Sequence, residues 1–192
     1  MSGTTQSPSR LRHWAARLAL LVACAGSVAT SKATMAPVSS GRLSIGPVRL
    51  SAQTPRVTKP FLIRVTAEQP SQLLDGHVHV VVTAHWKPVA PTHTTGPWFR
   101  PSLTQEGAVP GPGPSLPLTG LGKPVGHDMT EHFAAECALK AGTACEWRVD
   151  LHLETAADAP PGTVDVMVDA TARMSARQKE APRGFTVTLE EL

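Results

Sequence analysis

Apolar and polar residues alternate one for one in several separate stretches, and this period of two most limits what the chain can fold into. Phe61, Ile63, Val65 and Ala67 alternate with Leu62, Arg64, Thr66 and Glu68. Val78, Val80, Val82, Ala84 and Trp86 do the same against His77, His79 and His85. Trp147, Val149, Leu151 and Leu153 alternate with Arg148, Asp150, His152 and Glu154, and a longer run goes from Val164 to Arg173. The last strand puts Phe185, Val187 and Leu189 on one side and Thr186, Thr188 and Glu190 on the other. Successive side chains of an extended strand point to opposite faces, so each stretch has one face to bury and one to expose. No window carries a helical period, and the expectation is an all-β chain folded as an antiparallel β-sandwich.

Turn chemistry divides these stretches. Ala159-Pro160-Pro161-Gly162 separates two of them, and Pro182-Arg183-Gly184 introduces the last. Leu43 and Ile45 share one phase while Val48 and Leu50 share the other, so a bulge or break is expected at Gly46-Pro47. Residues 87–126 depart from the pattern and hold nine of the 18 prolines and seven of the 15 glycines. Proline cannot donate to a ladder, so this stretch is expected to be a long insertion poor in strands. Trp98-Phe99 near its start is apolar enough to dock on the sandwich or to meet a partner.

The first 23 residues have a different character. Arg10, Arg12 and Arg17 precede a short apolar run, Leu18 to Ala23, followed by small residues, which is the layout of an export signal. Leu21-Val22-Ala23-Cys24 resembles the lipobox of bacterial lipoproteins, which implies cleavage before Cys24 and acylation of its thiol. The other route is cleavage after Ala29 or Ala33, leaving a free secreted chain. Residues 25–41, rich in small and polar types, read as a flexible tether, and residues 42–192 as a single domain.

Either route removes Cys24 from the thiol count. Cys137 and Cys145 then remain to pair in an oxidising compartment, fixing the register of a hairpin. The signal carries three of the 18 basic residues and none of the 15 acidic ones, so the remaining chain is close to neutral. Its charge gives no reason to expect a nucleic-acid partner.

Candidate chemistry centres on the histidines. His77 and His79 share a strand face, and H-x-H places two imidazoles side by side. With His127 and Met129 they resemble the ligands of exported copper-binding β-domains, which implies a copper or zinc site; the plainer reading is a solvated face with no cofactor. No nucleophile elbow, zinc-protease helix or ordered Ser/His/Asp set is present, so an enzyme is the third reading.

In strand count, alternation and turn spacing across residues 43–192, the chain resembles immunoglobulin-like and fibronectin-III-like sandwiches. It lacks tyrosine, and hence a tyrosine corner. The expected function is a non-catalytic binding or structural module of the cell envelope, or a secreted one. Its partner would be an envelope protein or polysaccharide, and its contact with the membrane a lipid on Cys24.

Overall fold

The computed structural model describes residues 13–22 and 35–192, apart from 72–73, 91–94, 112, 120–121, 136 and 177. Residues 1–33 and 34–192 form two units. In the first, residues 13–22 are helical, with Trp14, Leu18 and Leu21 exposed. Among the described residues, no helix is long and apolar enough to cross a membrane. Cys24, Ala29 and Ala33 lie outside the described residues.

The second unit is the expected antiparallel β-sandwich. Its strands are β1 (Val38–Ser39), β2 (Leu43–Leu50), β3 (Arg56–Thr66), β4 (Leu74–Pro88), β5 (Thr95–Gln105), β6 (Leu116–Thr119), β7 (Val125–Ala135), β8 (Ala144–Thr155), β9 (Gly162–Ala176) and β10 (Thr186–Glu191). One sheet runs β1-β9-β4-β7, with β2 also pairing β9, and the other runs β10-β3-β8-β5-β6. The alternation places side chains as expected: Phe61, Ile63, Val65, Val78, Val80, Val82, Val149, Leu151 and Val166 are fully buried between the sheets. Met174 falls in the same inward phase and is also fully buried, so it is a core residue.

The strand order is that of a jelly roll, which corrects the immunoglobulin-like expectation. From β2 to β10 the chain crosses to the opposite sheet at every step except β5 to β6. Among the described residues, β5 and β6 are the only consecutive strands that pair. An immunoglobulin sandwich pairs several consecutive strands. Alternation reports which side of a strand is apolar and says nothing about which distant strand lies beside it.

Two local expectations change with the topology, and a third holds. Residues 87–126 are not a loop: β5 and β6 run through them, and β5 pairs β8 from Phe99 to Gln105. Pro97 and Pro101 of β5 fall in its inward phase and are buried. The tether ends earlier than Gly41. Met35 is buried, Val38 and Ser39 pair with Met174 and Arg173, and Ser40 exchanges hydrogen bonds with the Ala172 backbone. A two-residue strand is too short to show a period. The expected break at Gly46-Pro47 is present as a register shift between Ile45 and Val48 in the β2–β9 ladder. Gly46 has φ near 149°, and a Cβ there would come within 2.8 Å of the Met167 sulfur.

The Cys137–Cys145 disulfide forms as expected, with its Cα atoms 6.3 Å apart. It does not set a hairpin register, because β7 belongs to one sheet and β8 to the other. The bridge instead closes the arch that carries the chain between the sheets.

Candidate functional site

The outer face of the second sheet is built in rows by the ladder register. Directly opposite residues of neighbouring strands share a face. Arg56 on β3, Glu154 on β8 and Arg100 on β5 therefore form one row. Thr58, His152 and Ser102 form the next, followed by Pro60, Asp150 and Thr104. These six positions on β3 and β8, all polar but Pro60, are the outward ones that the alternation leaves once Phe61, Val149, Leu151 and Leu153 have turned inward.

The first two rows floor a cleft of about 490 Å³, whose wall includes Pro110 and Gly111 of the β5–β6 loop. That loop rests directly on β5: a Cβ on Gly113 would collide with the Pro101 carbonyl and crowd the Arg100 side chain. Glycine is required there for close approach, not for an unusual φ.

Polar side chains in the cleft hold one another in place. The His152 ring is gripped at both nitrogens, Nδ1 lying 3.1 Å from the Thr58 hydroxyl and Nε2 2.8 Å from that of Thr104. Arg56 donates to Glu154 Oε1 through Nε at 2.8 Å, with Nη2 2.7 Å away. Arg100 approaches the other oxygen only to 3.6 Å, too far for a good hydrogen bond. Its guanidinium lies 4.7 Å from the centre of the Trp98 ring, in cation–π range. The Nε of Arg100 is buried and, among the described residues, has no hydrogen-bond partner.

The residues singled out by sequence are distributed as follows. Phe99 is fully buried in the core and cannot contact a partner; Trp98, one position earlier, is half-buried on the outer face beside the cleft. His77 and His79 are on the outer face of the first sheet. His127 and Met129 lie opposite Val82 and Val80, whose side chains point inward. The register therefore puts the two pairs on opposite faces, and the four side chains do not converge.

The neighbour of His77 is instead His132, with ring centres 5.5 Å apart, and Arg173 lies opposite on β9. Desolvation, with His132, Arg173 and His79 adding to it, lowers the His77 pKa. Among the described residues, no group of three or more His, Cys, Asp or Glu is placed to hold a metal ion.

Elsewhere on the first sheet, outward carboxylates make the cross-strand charge pairs expected of them. Asp165 accepts from Lys87 Nζ at 2.7 Å and Arg49 Nε at 3.3 Å, and Asp169 from Arg42 and Ser44. Arg56, Arg100, Ser102, His152 and Glu154 were not legible as a site. The one available signal is the shared outward phase of His152 and Glu154, which any solvated strand would show.

No family model matches the chain, and no curated protein matches it. Among solved structures it is similar to one described as "CBM4 structure and function", at 13% identity, covering 79% of this chain and 73% of that one, with a TM-score of 0.20. A superposition that weak leaves both fold and site to be read from this chain's own geometry.

Proposed function

We propose that the chain is a non-catalytic binding module that holds a polysaccharide against the outer face of β3, β8 and β5, beside the β5–β6 loop. The observation that carries this reading is the cleft floored by Arg56, Thr58, Arg100, Ser102, His152 and Glu154. Its donors and acceptors stand in register rows on a sheet and several are fixed by bonds among themselves, so little ordering entropy remains to be lost on binding. Vicinal hydroxyls present the alternating donors and acceptors such a surface can meet. Trp98 adds an aromatic edge where one end of a ligand can rest.

The placement of the carboxylates supports a binding role over hydrolysis. Asp150 and Glu154 are four residues apart on one strand, a backbone rise of about 13 Å. A pair of glycosidase carboxylates sits roughly 5–9.5 Å apart. Glu154 is also engaged by Arg56 and approached by Arg100. The Cys137–Cys145 bridge supports an oxidising, extracytoplasmic setting. Acylation at Cys24 would hold the module at the envelope.

The test is affinity electrophoresis of the full chain through gels containing neutral or acidic polysaccharides. We expect retardation by at least one polymer, weakened about tenfold in His152→Ala, because the ring that orients the Thr58 and Thr104 hydroxyls is lost. Loss of binding with an unchanged circular dichroism spectrum supports the site. Retention of full affinity in His152→Ala and Arg56→Ala would place binding elsewhere. A deletion of 88–124 would remove β5 and β6, so the loop's part is tested by shortening only 107–114.

A further inference from the structure

The reading of the cleft as a polysaccharide site leaves open which kind of polymer it takes, and the side chains in it narrow the choice. We infer that the polymer is acidic and that Arg100 receives one of its carboxylates; this rests on the cleft being the binding site. The row Arg56–Glu154–Arg100 contains two permanent cations and one carboxylate, an excess of one positive charge. Glu154 is not shared evenly between them. Two nitrogens of Arg56 converge on Oε1, whereas Arg100 stays 3.6 Å from Oε2.

Arg100 is therefore the under-used member of the row. Its buried Nε lacks a partner among the described residues, and a donor withdrawn from water without an acceptor is destabilising. The Trp98 ring holds the guanidinium 4.7 Å from its centre, which restrains the plane of the fork before any ligand arrives. A fork held in place with free donors fits the two oxygens of a carboxylate.

The chemistry of the floor favours a polysaccharide over an acidic peptide. At the cleft β8 is the inner strand, paired by β3 on one side and β5 on the other, while β10 pairs β3 only from Phe61 to Thr66 and β6 pairs β5 only at Thr95, Trp98 and Phe99. The backbone of β8 in the middle of the floor is committed to ladders on both sides, so a peptide lying across it would lack the main-chain bonds that give strand addition its affinity. Recognition here runs through side chains. Ser102 and Thr58 supply hydroxyl groups in the row beside the arginine, on either side of the His152 ring that orients Thr58.

The experiment compares polygalacturonate with the same polymer after reduction of its carboxyl groups, each titrated calorimetrically against the full chain. We expect the wild type to bind the acidic polymer about tenfold or more tightly than the reduced one. Arg100→Gln should erase that preference and Arg100→Lys restore only part of it, since lysine keeps the charge but not the fork. Should Arg100→Gln fail to fold, the wild-type preference for the acidic polymer decides the matter. Equal binding of the two polymers, both weakened by His152→Ala, overturns the acidic-ligand inference and leaves the cleft reading intact. Binding of neither polymer, with a neutral polysaccharide lost on His152→Ala, does the same. Poly-glutamate bound as tightly as polygalacturonate and lost on Arg100→Gln overturns the choice of a polysaccharide. If no polymer is bound, the cleft reading and the inference fall together.

Discussion

Asp165 shows how much a single outward side chain can do in this sandwich. It sits on β9 with only 11% of its side chain exposed, between Lys87 from β4 and Arg49 from β2. The hydrogen bond from Lys87 holds its carboxyl below the ordinary value, desolvation opposes this, and Arg49 adds to it. A carboxyl depressed in the folded state stabilises the fold fully above its unfolded value, near 3.8 here. That contribution is lost as pH falls from there through the folded value. Asp165→Asn should therefore lower the melting temperature at pH 7, and the difference from wild type should close as pH falls below about 3.8. Thermal melts from pH 2 to 7 check this, and a difference that stays constant across the range rejects it. An alternating strand shows that Asp165 faces outward, but not that two cations from different strands meet it there.

The arch between β7 and β8 has a role that local pattern could not assign. Cys137 and Cys145 are separated by eight positions, and a closed loop of that size contributes about 2–3 kcal/mol on the loop-entropy model. Since the bridge ties the end of a strand in one sheet to the start of a strand in the other, its loss should loosen that corner of the sandwich. We expect Cys137→Ser/Cys145→Ser to fall in unfolding free energy by about 2–3 kcal/mol in denaturant titration. Hydrogen exchange should accelerate first around Ser71 and Leu139, whose isolated bridge lies beside the disulfide. A stability change below about 0.5 kcal/mol would show the arch to be held by packing alone. The β5 strand offers a parallel lesson. Proline and glycine marked it as a loop, yet Phe99 is fully buried, because tertiary burial overrode a weak local signal.

For the molecule as a whole, the two units carry separate predictions. On the proposed reading, the sandwich would carry recognition and the leading segment would set where it happens. We expect the mature protein isolated from its host to begin at Cys24 and to carry acyl groups, read directly by intact mass. A bare chain beginning at Thr30 or Thr34 would make it a freely secreted module instead.

The sequence by itself determined the all-β class, the inward and outward sides of β3, β4, β8, β9 and β10, the break at Gly46-Pro47 and the pairing of Cys137 with Cys145. Each of these is written in neighbouring residues, through a period of two, a turn dipeptide or a count of thiols. Only the tertiary structure decided the jelly-roll order, the division of His77 and His79 from His127 and Met129, and the row of Arg56, Glu154 and Arg100. Members of that row are separated by as many as 98 positions along the chain. Which strands become neighbours depends on the packing of two whole sheets, and a functional surface built across three strands exists only after that choice is made.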